Sequence, residues 1–236
     1  MTCNKIVLLF FLLISNTIMC QTKHMNSKYY FVFDSITNLY HANINNGKRF
    51  VDLLKPESSK EYRFFISEEF TEGNIVFENQ PYYKIPLKYD ILEDNIILHQ
   101  NNVLGGHEVI LNPIKIDNFQ IFNKTFVKLP SNASNFSFYE NGFFEQLMVK
   151  EKYILYSKIY KLKFKKFLEK KIVYRFNQHQ YYVLNVNSHY YKIKTKRDLI
   201  KIFPEYKKVI TKFYNENSIL EKSNKSQFFI NLLQNL

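Results

Sequence analysis

The chain has no tryptophan, only two cysteines and only five glycines in 236 residues. Both cysteines, Cys3 and Cys20, fall within the first twenty positions. A chain beginning at Gln21 would therefore have no disulfide, no cysteine nucleophile and no thiolate metal site. With so little glycine, neither G-x-G-x-x-G nor a P-loop can be written, so the usual phosphate cradles are excluded. No G-x-S-x-G elbow is present either. There is no internal repeat and no low-complexity linker. A domain without disulfides must stand on its core, and 46% hydrophobic composition is enough for one domain, or for one domain with an appendage.

The first twenty residues, "MTCNKIVLLFFLLISNTIMC", place one cation at Lys5 before an apolar run from Ile6 to Ile14 and a polar "SNT". This is the layout of a secretory signal peptide. The run is shorter than the ~20 apolar residues a membrane helix needs. The sequence thus predicts a signal peptide over residues 1–20 and an exported chain that is periplasmic, outer-membrane-associated or secreted. Cleavage after Cys20 would leave Gln21 able to cyclise. The alternative is a lipid on Cys20, although Thr17 and Met19 stand where lipoprotein signals prefer an aliphatic and a small residue.

The formal net charge of +12 is unevenly placed. Residues 21–147 carry 12 basic and 15 acidic side chains, whereas residues 148–236 carry 20 and 6. Within "YSKIYKLKFKKFLEKKIVYRF", lysines alternate with aromatic and aliphatic residues. Such a stretch can serve nucleic acid, where cations meet phosphates and rings stack on bases. Export favours a different anionic partner: an envelope protein, an acidic glycan or a lipid surface. The candidate contacts are Lys161, Lys163, Lys165, Lys166, Lys170, Lys171 and Arg175. The competing reading is a solvated, lysine-rich face.

Short runs of Tyr, Phe, Ile, Val and Leu, separated by Asn, Gly, Asp or Pro, are the rhythm of antiparallel strands. A three-strand meander is predicted over residues 74–100. In "YYKIPLKYDI", Ile85, Leu87, Tyr89 and Ile91 share one face and Lys84, Lys88 and Asp90 the other. Pro81 fits a strand start, and Pro86 an edge or bulge. "LEDN" reads as a turn. Further strands are predicted at "HEVIL", "IDNFQIF", "TFVKLP", "FFEQLMV" and "YILYSKIYKLKF", with Tyr160, Leu162 and Phe164 toward a core and Lys161, Lys163 and Lys165 toward water. A last hairpin pairs "QYYVLNV" with "HYYKIKT" around Asn187 and Ser188. The segment from Leu53 to Phe64 reads as an exposed connection.

After residue 194 the period becomes helical. Thr195 and Asp198 resemble a capping box. A short helix should end near Phe203, and a longer one should carry Pro204 in its first turn. A final helix with Ser223 as its cap should bury Phe228, Phe229, Leu232 and Leu233. The fold class expected is α+β, mainly β: an antiparallel meander, sandwich or barrel-like domain over residues 21–194 and a C-terminal helical segment over residues 195–236.

Candidate chemistry is sparse. His99, His107 and Glu108 could converge across a hairpin as metal ligands, and His179 and His189 could face each other across the last one. Glu68, Glu69 and Glu72 crowd one segment, which glycoside hydrolysis would need held in a cleft. A solvated turn is the plainer reading of these carboxylates, and no cofactor is expected. With 18 Tyr and 23 Phe, the doublets beginning at Tyr82, Tyr181 and Tyr190 must place one ring on each face of a strand.

"EGNIVFENQPYYKIPLKYDILEDNIIL", "GFFEQLMV" and "YYKIKTKRDLIKIFPEYKKVITKFYNEN" together resemble a group of uncharacterised exported proteins of Bacteroidetes, mainly flavobacteria. The likeness runs from about Gly47 to Asn217. Phe77, Glu78 and Asn79 stand where that group tends to have Tyr-Asp-Gly, and Lys84 where an acidic residue is common. The resemblance implies an envelope or exterior location and a shared architecture; it supplies no activity and no catalytic residues. The expected function is a non-enzymatic, envelope-associated binding or accessory module with a basic C-terminal surface. The alternative is a hydrolase acting on glycans or peptides.

Overall fold

A computed structural model describes residues 43–100, 106–129 and 142–236. The predicted signal peptide lies outside them. The strands are β1 (Lys48–Arg49), β2 (Thr71–Phe77), β3 (Gln80–Asp90), β4 (Asn95–Gln100), β5 (His107–Ile110), β6 (Ile116–Ile121), β7 (Lys124–Lys128), β8 (Phe143–Lys150), β9 (Tyr153–Leu168), β10 (Lys171–Val186) and β11 (His189–Ile193). They form one open antiparallel sheet in the order β1-β5-β4-β3-β2-β6-β7-β8-β9-β10-β11. Four helices follow: α1 (Lys196–Ile202), α2 (Lys207–Glu216), α3 (Ser218–Ser223) and α4 (Lys225–Gln234). The α+β, mainly β expectation is met.

The connections are short because the turns are tight. Glu78-Asn79, Phe122-Asn123, Glu169-Lys170 and Asn187-Ser188 all have positive φ, the geometry of two-residue turns that matches the strand twist. Glycine, the usual occupant, is absent from all four. A bulge between Gly73 and Ile75 of β2 sets two residues of β3, Tyr83 and Lys84, against one. Lys84 has φ 51°, and its N–H donates to the Asn74 side chain at 3.1 Å. The bulge explains why Tyr82 and Ile85, three apart, both reach the core.

The sheet curls, and its inner face encloses Tyr89, Phe119, Phe126 and Phe143. Phe119 and Phe126 stack with centroids 4.8 Å apart, and Tyr89 meets Phe119 edge-on at 5.1 Å. The turn after β3 closes toward β9, where Ile91 O accepts from Lys161 N at 2.8 Å. Farther along the same face the helices cover β8 to β11, burying Leu155, Tyr182, Leu184 and Ile193 against Leu199, Ile210 and the predicted cluster of Phe228, Phe229, Leu232 and Leu233.

The capping box of Thr195 and Asp198 is present, and Phe203 ends α1. Pro204 opens a 3-10 turn that leads into α2. Two helix expectations are corrected: Pro204 precedes α2 instead of lying in its first turn, and Ser223 does not cap the last helix. Ser223 is the last residue of α3, a helix the apolar spacing does not announce, and Asn224 caps α4 by accepting from Gln227 N at 3.0 Å. Among the described residues no helix is long and apolar enough to cross a membrane.

The connection from Leu53 to Phe64 is exposed only in its first part. Arg63 and Phe64 are buried, and the segment forms a strap beside β10 through a parallel bridge of Pro56 with Tyr174. Asp90, placed by alternation on the wet face, is buried too: Arg63 covers and ion-pairs it. Burial pushes the Asp90 carboxyl up, against the pull of Arg63 and of the Leu92 and Glu93 amides.

Candidate functional site

β9 and β10 pair from end to end, Tyr153↔Val186 through Leu168↔Lys171. Their neighbours stop early. β8 reaches only Ser157 of β9, and β11 only Tyr182 of β10. The outer half of the hairpin therefore projects as a two-stranded arm, and its two edges are treated differently.

Backbone groups along a strand face alternate sides. On β10, Tyr174 and Phe176 face the strap: Tyr174 N donates to Lys55 O at 2.9 Å, Glu57 N donates to Tyr174 O at 2.8 Å, and Phe176 N donates to Glu61 Oε2 at 2.9 Å. On β9, the Lys161 N–H reaches Ile91, which fixes the parity. Lys163, Lys165 and Phe167 then point their N–H and C=O groups outward, and among the described residues no backbone partner meets them. One edge of the arm is covered and the other is open.

The seven predicted cationic contacts divide accordingly. Lys161 is removed from the set: it is buried, and its ammonium donates to Tyr62 O at 2.6 Å and Phe64 O at 3.1 Å. Burial lowers its pKa. Lys166 and Arg175 share Glu57 at 2.8 and 3.1 Å. The hydrogen bond from Lys166, helped by Arg175, holds the Glu57 carboxyl below its ordinary value. Lys163 reaches Glu93 at 3.3 Å between two half-exposed side chains, a weak tether. Lys165 lies over the Phe167 ring at 5.1 Å. Lys170 and Lys171 are exposed at the tip, with no ion pair among the described residues. The cations free to meet a partner are thus Lys165, Lys170 and Lys171, with Lys163 beside them.

The expected alternation of core and water fails on this arm. Leu162, Phe164, Phe167, Leu168 and Ile172 expose 45, 46, 76, 51 and 43% of their surface. A concentration of large apolar side chains outside the core marks an interaction surface. Alternation places Leu162 and Phe164 in the core and gives no sign of Phe167, Leu168 or Ile172, whose place beside a charged Glu169-Lys170 turn is the usable signal.

A second polar cluster sits where the β3–β4 turn meets β9. Tyr89 OH donates to Asp94 Oδ1 at 2.5 Å, and Lys158 Nζ donates to Asp94 Oδ2 at 2.6 Å and to Phe143 O at 3.1 Å. Burial and the neighbouring Asp94 charge push the Tyr89 phenol well up. An adjacent cavity of about 410 Å³ is lined by Asp94, Lys128, Gly142 and Phe143. Lys128 donates to Pro113 O, and burial lowers its pKa. Every polar atom named here is satisfied within the protein, so the cluster works as a tie between turn and strand.

The histidines do not converge. His99 pairs with Glu108, and Gln100 with His107; directly opposed residues share a face and successive ones alternate, so His99 and His107 lie on opposite faces of the sheet. His99 packs against Phe70 at 5.2 Å. Among the described residues no group of three or more His, Cys, Asp or Glu could hold a metal ion. His179 stacks on Tyr160 at 5.4 Å, while His189 opposes Val186, so those two do not face each other either. Glu68, Glu69 and Glu72 are solvated. Each tyrosine doublet splits across the sheet, with Tyr82 and Tyr182 buried and Tyr191 exposed. No protein-family model matches the chain, and the searches of curated proteins and of solved structures return no significant match.

Proposed function

We propose that the chain is an exported, envelope-associated accessory module that binds a polyanionic partner through the β9–β10 arm. Export rests on the N-terminal segment and on the resemblance to exported Bacteroidetes proteins. Binding rests on the arm. The observation that carries it is the pairing of exposed apolar side chains, Phe167 above all, with cations that make no ion pair among the described residues, Lys165, Lys170 and Lys171. Apolar anchors supply contact area, and the cations supply attraction and orientation.

A pocket gathering His99, His107 and a carboxylate would favour the hydrolase alternative; the strand register sets the two histidines on opposite faces.

The test is charge reversal of Lys165, Lys170 and Lys171 to glutamate, with binding to an immobilised acidic polysaccharide measured across a salt series. Wild-type binding should weaken steeply with salt, because exposed charges are screened within about 10 Å at 0.1 M ionic strength. The triple variant should lose at least about tenfold in affinity and most of the salt dependence. Unchanged binding by a folded variant contradicts the proposal.

A further inference from the structure

We infer that the open edge of β9, from Leu162 to Leu168, receives an extended peptide strand in which acidic and apolar residues alternate. The inference rests on the reading of the arm as an anion-binding element and names the form its partner takes.

The backbone provides the first requirement. Lys163, Lys165 and Phe167 present an unanswered row of donors and acceptors among the described residues, and such a row is the template for strand addition. The same row on β10 is already answered by the strap at Tyr174 and Phe176. This chain thus pairs one edge of the arm with a segment of its own and, among the described residues, leaves the other without a backbone partner.

The side chains provide the second. Lys163 and Lys165 fall on one face of β9, and Leu162 and Phe164 on the other. A strand laid beside them sets its own side chains on the same two faces. Acidic residues on one face and apolar residues on the other complement both.

Competing occupants fit less well. A second copy pairing edge to edge would set lysines against lysines, and directly opposed like charges are destabilising. A bilayer core would leave the open row of N–H and C=O groups unsatisfied, at a cost of several kcal/mol for each group. Edge lysines also serve to repel stray strands, and that protective role is the outcome that would oppose the inference.

The experiment exploits the parity of the strand. Because the Lys165 N–H faces the open edge, Lys165→Pro removes one outward donor without touching the ladder to β10. Lys165→Gln removes only the charge. The probe is a synthetic peptide of alternating valine and glutamate with blocked ends, titrated by fluorescence anisotropy into the full chain. The inference expects a small loss of affinity with Lys165→Gln, about threefold, and a loss of at least about tenfold with Lys165→Pro. A peptide N-methylated at alternate amides needs no protein variant; it should lose binding when the methyls fall on the edge-facing amides and keep it when they face away. Equal affinity of the two protein variants, or of the two methylated peptides, overturns strand addition while leaving the polyanion reading intact. Binding of acidic polysaccharide but not of the peptide does the same. Failure of both ligands to bind overturns the inference and the reading together.

Discussion

The inner half of β9, Tyr153 to Tyr160, is apolar on both faces apart from Ser157 and Lys158, whereas the outer half, Lys161 to Leu168, interleaves lysines with apolar residues, and the two halves live in opposite environments. In the inner half, Leu155 is fully buried under the helices and even Lys158 is enclosed, its charge met by Asp94. In the outer half, Leu162 and Phe164 stand in water. Period two assigns side chains to faces; whether a face is covered depends on what lies beside it. The inner half has β8, the helices and the β3–β4 turn. Among the described residues the outer half has backbone contact only through the strap along its partner strand.

Four measurements sharpen that contrast. The largest effect should come from Asp94→Ala, which leaves the Lys158 ammonium buried and unpaired. A loss of about 3–5 kcal/mol in urea denaturation is expected, and a loss below about 1 kcal/mol would mean the pair is not the tie described. Gly142→Ala should act in the same direction, because its Cβ would lie 1.7 Å from Asp94 Oδ2 and 2.5 Å from Lys158 Nζ.

Next, Leu155→Ala should cost about 2–5 kcal/mol as a buried truncation, whereas Leu162→Ala on the same strand should stay within about 0.5 kcal/mol. Similar losses at both positions would erase the distinction between the halves.

The third concerns the clamp near the tip of the arm. The carboxyl of Glu57 is held below its ordinary value of 4.5 by Lys166 and Arg175. A group with a lowered folded pKa contributes above its ordinary value and loses that contribution as pH falls through the lowered one. Amide exchange at Tyr174 should therefore accelerate, relative to the rest of β10, as pH drops below the carboxylate range. Glu57→Gln should remove this pH dependence.

The smallest effect compares two turns of like geometry. Ser188→Gly, in the hairpin over the helical core, should leave stability unchanged or raise it by up to about 1 kcal/mol by relieving a left-handed residue. Lys170→Gly relieves the same geometry at the arm tip and should leave the global unfolding midpoint within error, because arm and core are not equally coupled to unfolding.

Much of the architecture was legible in the sequence because it rests on local chemistry. The meander over residues 74–100, the Asn187-Ser188 turn and the Thr195–Asp198 box each follow from a few neighbouring residues. The stretch from Pro81 to Asn95 is scaffold, as its pattern suggests: Asp90 organises the turn through Leu92 N at 3.0 Å, and Asp94 ties that turn to β9. What escaped depends on distant parts of the chain. Arg63 covers Asp90, the Tyr62 and Phe64 carbonyls hold Lys161, and Glu57 ion-pairs the half-exposed Lys166 and Arg175, in each case across a separation no local window spans. The short α3 escaped because six residues, with Ile219 and Leu220 adjacent, give too little periodicity to read.

The central claim is that the outer half of β9 is held on one edge and open on the other, and amide hydrogen exchange of the free protein tests it most directly. Leu162, Phe164 and Lys166 donate toward β10 and should be protected, whereas Lys163, Lys165 and Phe167 should exchange close to the rate of an unstructured chain, an alternation absent from residues 153–157. Uniform protection from Leu162 to Leu168, or uniform loss of it, would contradict the account.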